Sequence, residues 1–272
     1  MKIYISTIGL CLTLCGISTV VNAQNLNLSK GDEYKITTVL SSSTSMKRGD
    51  KTLDTKSMSV LTKAYKVTEA DGNGYNLSMS ITNIADTIDS SNQKFAYNTN
   101  RAADPASTTE TALRQMVGTI HTLNLDKSGK VTQVGNMAKV TSDANVASQA
   151  GVYFDNFEVG KTLKLGANFA LPAGFAKGTT WKENTKFGDG TANTTYKVEE
   201  TSANQTKVSF VTLAKQTGVN TNLSGAVILD NNSGVVVQRI IKTDSKANSS
   251  LEGKTFIVSE KKTLSEVAEK VN

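Results

Sequence analysis

The chain of 272 residues contains two cysteines, two prolines, one histidine and one tryptophan. Both cysteines, Cys11 and Cys15, fall in an apolar N-terminal stretch typical of a cleaved leader, so we expect none in the mature chain. Without cysteine the protein can form no disulfide, thiol nucleophile, cysteine-ligated zinc site or iron–sulfur cluster. The single histidine, His121, excludes a histidine-rich metal site, because catalytic zinc usually takes two or three histidines.

The excess of one sign of charge over the other is also small. The chain carries 30 lysines and arginines against 24 acidic residues, a formal net charge of +6. The basic residues alternate with acids, and no run of them is long enough for a nucleic-acid or polybasic membrane site. We therefore predict no nucleic-acid partner.

Catalytic patterns are weak. No Gly-x-Ser-x-Gly elbow accompanies His121, and no glycine-rich loop has the following lysine of a phosphate cradle. Carboxylate pairs occur at Asp32/Glu33, Asp86/Asp89 and Glu199/Glu200, and nothing singles one pair out. Glu199 and Glu200 are adjacent on a strand, so they point to opposite faces. We predict no catalytic, cofactor or metal site and no enzyme activity, with a carboxylate-dependent hydrolase as an alternative.

The N-terminus predicts export. Met1 and Lys2 precede an apolar run over residues 3–21, and Val21-Asn22-Ala23 places small residues where signal peptidase requires them. We predict cleavage after Ala23, a periplasmic or secreted location in a Gram-negative envelope, and no membrane span after cleavage. An uncleaved anchor is the alternative, since about 18 apolar residues can cross a bilayer, but no basic cluster follows the run.

Most of the remaining sequence has the two-residue period of β-strands. Tyr75, Leu77, Met79 and Ile81 alternate with polar residues, which is typical of a strand with one buried face. Turn-forming Asp, Asn and Gly residues separate such segments. The fold class predicted is mostly β, a curved antiparallel sheet or half-barrel.

Three pairs of segments are similar to each other in the same order along the chain, which predicts two related β repeats. The alternative is chance similarity between strands of biased composition. The predicted domains are a signal peptide (1–23), a first β repeat (24–135), a helical connection (136–168), a second β repeat (169–262) and a short C-terminal helix (263–272). The paired segments are 30–34 with 177–181, 64–81 with 195–212, and 122–131 with 226–236.

Two or three short helices are expected. Ser107 and Glu110, after Pro105, have the spacing of a capping box. Residues 137–150 form a second candidate, and the segment from Thr263, with Glu266 at capping-box spacing, forms a third.

Aromatic residues are few, at 6% of the chain, yet several concentrate where the predicted repeats meet. We predict that they line a site for an apolar ligand, since curved sheets often enclose one. A packed core between the repeats is the alternative. The candidate lining residues are Tyr153, Phe154, Phe157, Phe169 and Trp181.

Five short motifs are distributed along the chain: Ala23-Gln24, Leu28 to Tyr34, Leu125-Asp126 to Val131, Leu171-Pro172 to Trp181, and Leu229-Asp230 to Gly234. Together they resemble a family of uncharacterised exported β-rich proteins of Bacteroidota, classed as a domain of unknown function. The resemblance covers nearly the whole mature chain and implies an envelope location, with no known activity and no functional residues to transfer.

These observations predict a non-catalytic envelope protein that binds an unknown partner or an apolar small molecule through a curved β-sheet. A structural or adhesive surface module is the alternative besides the hydrolase.

Overall fold

The computed structural model describes residues 25–90, 93–135, 157–251 and 254–271, which form one open antiparallel sheet of twelve strands and one helix. The strands are β1 (Glu33–Arg48), β2 (Lys51–Ala70), β3 (Gly74–Ser90), β4 (Gln93–Asn98), β5 (Ile120–Asp126), β6 (Val131–Gly135), β7 (Thr180–Phe187), β8 (Gly190–Thr201), β9 (Gln205–Gln216), β10 (Val219–Asp230), β11 (Val236–Leu251) and β12 (Lys254–Lys270), and the helix is α1 (Thr108–Met116).

Two antiparallel meanders meet at a central seam. The strand order is β6-β5-β3-β2-β1-β12-β11-β10-β9-β8-β7, and β4 pairs with β3 beyond the end of β5. The first half of the sheet is therefore β1–β6, and the second half is β7–β12. The first and last strands form the seam, with β1 and β12 in register from Tyr34↔Lys270 to Lys47↔Ile257.

The predicted alternation is confirmed in β3, where Tyr75, Leu77, Met79 and Ile81 are buried. Pairing carries their side of the sheet to Tyr34 of the first strand and onward across the seam. We call this side the inner face. The opposite side, the outer face, carries mainly serine, threonine, asparagine and lysine.

Both halves use the same hydrogen bonds where their first two strands begin to pair. Gly31 N–H donates to the Val67 carbonyl, and Gly178 N–H donates to the Val198 carbonyl, each at 2.8 Å. Both glycines have positive φ, which glycine adopts without strain. A β-bulge follows in each half, after Val67 and after Val198.

Two further turns also match. The Asp126 carboxylate accepts hydrogen bonds from Ser128 and from Lys130 N–H after β5. The Asp230 carboxylate accepts bonds from Asn232 N–H and from Ser233 after β10. These aspartates hold the tight turns that the Asp and Gly signals of the sequence predict.

Hydrogen bonds from residues 25–28 show that the sheet is strongly curved. Leu26 N–H donates to the Lys127 carbonyl between β5 and β6, and Asn27 N–H donates to the Ser233 carbonyl between β10 and β11, each at 2.8 Å. Those turns are at least five strand spacings apart, about 24 Å in a flat sheet. Because consecutive residues reach both turns, the sheet must curl until the turns come close together.

Residues 161–166 cross the same opening. Leu163 N–H donates to the Gly129 carbonyl and Val236 N–H donates to the Leu165 carbonyl, each at 2.8 Å. We call 25–28 and 161–166 the bridging segments. Their buried leucines pack against the inner face in one apolar cluster with Tyr34. This end of the curled sheet is therefore closed by backbone and leucine side chains.

The first predicted helix is confirmed. Ser107 caps α1 by accepting a hydrogen bond from Glu110 N–H at 3.2 Å. The Glu110 carboxylate accepts bonds from Asp104 N–H at 2.9 Å and from Arg101 at 2.7 Å. Leu113 and Met116 then pack into the inner-face cluster.

The helix predicted over 263–272 is wrong, because residues up to Lys270 belong to β12. This strand is hydrogen-bonded on both sides, to β1 and to β11. Pairing with two strands outweighs a weak local helical preference, which a ten-residue segment cannot realise alone. The helix predicted over 137–150 lies outside the described residues. The described residues thus contain one helix rather than two or three.

Candidate functional site

A single row of inner-face residues runs across ten strands. Each member lies directly opposite the next on the neighbouring strand, through both halves and the seam. We call it the transverse row. In spatial order its residues are Tyr97, Asp86, Ser59, Leu40, Leu264, Ile241, Gly225, Phe210, Tyr196 and Trp181.

The row changes from polar to apolar along its length. It begins with Tyr97, Asp86 and Ser59, the polar end, and everything from Leu40 onward is aliphatic, glycine or aromatic. The middle residues, from Leu40 to Phe210, are only half-buried. The centre of the inner face therefore presents a partly accessible apolar strip.

The rows on either side differ from it. Towards the bridging segments, the next row is fully buried and contains the ion pair described below. Away from them, the next row is mostly polar, with hydrogen bonds such as Ser42 Oγ to Ser57 Oγ at 2.8 Å and Thr194 Oγ1 to Thr212 Oγ1 at 2.8 Å. The transverse row is the boundary between the sealed core and the polar part of the inner face.

The second half ends the row with packed aromatic rings. Trp181 and Tyr196 are stacked with centroids 4.9 Å apart, and Phe210 lies 6.1 Å from Tyr196. Phe169, from the segment before β7, contacts Tyr196 at 5.1 Å and Trp181 at 5.9 Å. We call Phe210, Tyr196 and Trp181 the aromatic end of the row.

One acid accompanies the aromatic end. The Tyr196 hydroxyl donates to the Glu183 carboxylate at 3.3 Å. Burial raises the pKa of Glu183, and the nearby Tyr196 hydroxyl and Trp181 indole N–H oppose that rise. Burial and the nearby Glu183 charge also raise the pKa of Tyr196, so the phenol stays protonated. This acid therefore has partners.

At the polar end of the row, the buried side-chain oxygens lack such hydrogen-bond partners. Asp86 is 1% exposed, and Ser59 and Tyr97 are each 3% exposed. Within the described part of the chain, both Asp86 carboxylate oxygens, Ser59 Oγ and Tyr97 Oη lack hydrogen-bond partners of normal geometry. Buried polar groups are nearly always hydrogen-bonded, so four unpaired atoms on adjacent strands mark an unusual site.

Burial raises the pKa of Asp86 to about 7, and the Thr87 backbone N–H opposes this rise only in part. The carboxyl is thus close to half-protonated at neutral pH.

The nearby cations are already engaged. Arg101 pairs with Glu110 at 2.7 Å and lies 5.9 Å from the Tyr97 ring. Arg114, which lies near the Tyr97 hydroxyl, donates to the Thr99 carbonyl at 2.5 Å.

At the seam, the buried row carries a fully satisfied ion pair. Arg239 donates to Glu266 at 2.7 Å, and both side chains are buried. Thr38 donates to the other oxygen of Glu266 at 3.1 Å, while Arg239 also reaches the carbonyls of Lys164 and Gly166 at 3.2 and 3.3 Å. The pair joins β1, β12, β11 and a bridging segment.

The structure brings together some of the aromatic residues predicted from sequence. Phe169 and Trp181 meet in one cluster, whereas Phe157 packs against the other cluster, with the first half. Tyr153 and Phe154 lie outside the described residues. Sequence reasoning missed Asp86 as a site residue, because only cross-strand register places it beside Ser59 and Tyr97.

No group of His, Cys, Asp and Glu that could hold a metal ion occurs among the described residues. His121 is buried on the inner face, opposite Met79, as its strand position predicts. Within the same residues, no helix is both long and apolar enough to cross a lipid bilayer.

Comparison with known proteins gives a partial match to one family model and a similarity of fold. Residues 72–164 match a family of unknown function (DUF6263). No curated protein matches. The structure titled "Lipid-protein interactions in lipovitellin" is similar at 11% identity and a TM-score of 0.51, over 90% of this chain but 26% of lipovitellin. This chain thus spans a small part of that protein, and the similarity is one of fold alone.

Two outer membrane proteins show weaker similarity. An outer membrane channel from Pseudomonas putida has 6% identity and a TM-score of 0.27, over 90% of this chain and 98% of the channel. OpdQ from Pseudomonas aeruginosa has 6% identity and a TM-score of 0.24, over 88% of this chain and 99% of its own. At these scores, neither informs the function of this chain.

Proposed function

We propose that the protein is a non-catalytic binding protein that holds an apolar ligand against the inner face of its curved sheet. The observation that carries the proposal is the transverse row. Its middle, Leu40, Leu264 and Ile241, is apolar and half-buried between a sealed row and a polar one. Such a strip gains free energy when a hydrocarbon chain covers it, at about 25 cal/mol per Å² of buried apolar surface.

The fold agrees with this role. Lipovitellin, whose structure is titled for its lipid–protein interactions, shares the sheet architecture. The bridging segments close one end of the curled sheet, which leaves the remaining part of the inner face as the place for a ligand.

Export to the periplasm or beyond is part of the proposal, and the apolar leader followed by Val21-Asn22-Ala23 supports it. We further propose that the halves are related copies, as the paired segments indicate. Two observations support that relation. Gly31 and Gly178 make equivalent hydrogen bonds in their own halves, and the turns at Asp126 and Asp230 are alike.

A hydrolase that uses two carboxylates is disfavoured by the position of the acids. Asp86 and Glu183, whose pKa values are raised, lie at opposite ends of the inner face, on β3 and β7. Eight strand spacings separate those strands in the sheet order, and neither acid is among the causes of the other's pKa shift. Paired catalytic acids in glycosidases lie about 5–10 Å apart.

A structural or adhesive module remains the second candidate. On the outer face, Val211 and Leu213 of β9 are 53% and 52% exposed. Exposed apolar pairs of this kind favour contact with a partner surface.

The test is titration of the protein with 1-dodecanol, followed by calorimetry. The wild type should bind, and Ile241→Asn on the row should weaken binding at least tenfold. Ile240→Asn is the matched control, because it changes the adjacent residue on the outer face. Circular dichroism confirms that both variants fold. Absence of dodecanol binding, or equal loss in the two variants, would overturn the proposal.

A further inference from the structure

The transverse row is asymmetric, and its two ends differ in what they lack. At the aromatic end the rings stack on each other and the one acid, Glu183, receives a hydrogen bond, while Trp181 Nε1 lacks a partner of normal geometry among the described residues. At the polar end, three opposed residues on β2, β3 and β4 have buried polar atoms without partners among the described residues. A folded protein seldom leaves such atoms unpaired unless a ligand or water completes them.

The chemistry of those atoms defines the missing partner. An ionised Asp86 carboxylate only accepts hydrogen bonds, whereas the Ser59 and Tyr97 hydroxyls can accept or donate. Three side chains with two carboxylate oxygens and two hydroxyls make an acceptor-rich site. While Asp86 is ionised, a head group that donates several hydrogen bonds fits this site better than a head group that only accepts them.

The charge of Asp86 also limits which head groups can bind at the polar end. A buried carboxylate costs free energy unless a cation pairs with it. Arg101 is held by Glu110 and by the Ala96 carbonyl, and Arg114 is held by the Thr99 carbonyl. Neither guanidinium is hydrogen-bonded to Asp86. A cation that pairs with the ionised Asp86 would therefore be supplied by a ligand.

Resting on the proposed function, we infer that the polar end is a head-group site for a primary amine, so that the ligand is a cationic amphiphile. Its ammonium group binds Asp86, Ser59 and Tyr97, and its hydrocarbon chain continues over Leu40 and Leu264. Leu40 is half-buried beside the polar end, so the row offers the chain a direct path away from the head group.

The raised pKa of Asp86 is consistent with this assignment, because an amine that binds there would favour the ionised carboxylate. Three charged or titratable groups lie near Tyr97, namely Arg101, Glu110 and Arg114. Arg101 pairs with Glu110, and Arg114 donates to the Thr99 carbonyl.

The experiment compares dodecylamine, 1-dodecanol and dodecanoate, which share one chain and differ in the head group. Calorimetry at one pH near neutrality should show dodecylamine binding about tenfold more tightly than dodecanol and dodecanoate binding most weakly. Asp86→Asn should remove the preference for the amine, so that dodecylamine binds the variant no more tightly than 1-dodecanol does. Asp89→Asn, an exposed position on the same strand, is the matched control and should keep the preference.

The outcomes separate the two claims. If none of the three compounds binds the wild type, the proposed function fails and the head-group site fails with it. If dodecanol binds but the amine has no advantage, or if Asp86→Asn keeps the advantage, only the head-group site is overturned. Tyr97→Phe, which removes one hydroxyl, should weaken amine binding a fewfold and provides a second readout if Asp86→Asn does not fold.

Discussion

In the first half of the sheet, the transverse row ends in Ser59, Asp86 and Tyr97, and their polar atoms are unpaired among the described residues. In the second half it ends in Phe210, Tyr196 and Trp181, whose rings pack together. The two halves nevertheless share glycine contacts and bulges, which lie beside Trp181 in the second half and eight residues along β2 from Ser59 in the first. The polar end therefore lies in a part of the first half that these shared contacts do not reach, whereas the aromatic end lies next to them.

The largest expected effect concerns the seam between the halves. We expect Glu266→Leu to lower the free energy of unfolding by about 3–5 kcal/mol, since Arg239 would stay buried without its counter-charge. The double variant Glu266→Leu/Arg239→Met should recover most of that loss. Guanidinium unfolding measures both.

The exposed pair Lys94–Asp89, with side chains 81% and 63% exposed, provides the control for the seam. Asp89→Leu should cost at most about 1 kcal/mol. A single Glu266→Leu variant as stable as the wild type would show that the seam is held by ladder bonds alone.

The next expected effect is a pH dependence of folding stability that arises from Asp86 at the polar end of the row. The folded state raises the pKa of Asp86 from 3.8 to about 7, so it binds a proton that the unfolded chain releases in this range. The contribution of Asp86 to stability should therefore be fully present below about pH 4, decline as pH rises towards 7, and then level off. The loss attributable to Asp86 is at most about 4 kcal/mol.

Urea unfolding from pH 4.5 to 8 measures this loss. Asp86→Asn should flatten the curve, and Asp89→Asn should leave it unchanged. An Asp86→Asn curve with the same slope as the wild type would assign the pH dependence to other groups.

A smaller effect compares the hairpins β2–β3 and β8–β9. Gly74 and Gln205 hold the same place, since Asp71 N–H donates to the Gly74 carbonyl and Ser202 N–H to the Gln205 carbonyl. A Cβ on Gly74 would lie 1.9 Å from the Leu125 carbonyl oxygen. We expect Gly74→Ala to cost about 1–3 kcal/mol.

Gln205→Ala is the counterpart, and it should change stability by less than about 0.5 kcal/mol because Gln205 is exposed and already has a Cβ. Thermal unfolding measures both variants. We expect β5 to approach the β2–β3 hairpin more closely than β10 approaches the β8–β9 hairpin. Equal losses of stability for Gly74→Ala and Gln205→Ala would contradict this expectation.

Much of the fold was predictable from local patterns. The alternation of Tyr75, Leu77 and Met79 predicted a strand with one buried face, and the capping spacing of Ser107 and Glu110 predicted α1. The C-terminal segment was predicted as a helix because its local signals were helical, whereas its pairing partners lie more than 200 residues away in β1.

The candidate site was less predictable. Aromatic enrichment indicated Phe169 and Trp181, but it grouped them with Phe157, which packs in the other cluster. Asp86 was noted only as one of several acids. The residues next to Asp86 in the sequence, Ala85 and Thr87, give no indication of Ser59 or Tyr97. Those two residues lie beside Asp86 only because their strands pair with β3.

The amino-acid sequence by itself determined the β class, the turn positions and the polarity of each strand face, because these depend on a two-residue period and on residues close along the chain. Only the tertiary structure decided that the sheet curls until residues 25–28 join two distant turns. It also decided that β1 pairs with β12 and that ten residues align in one row. Those features depend on register between strands distant in sequence, and a shift of one residue would turn every inner side chain of a strand outward.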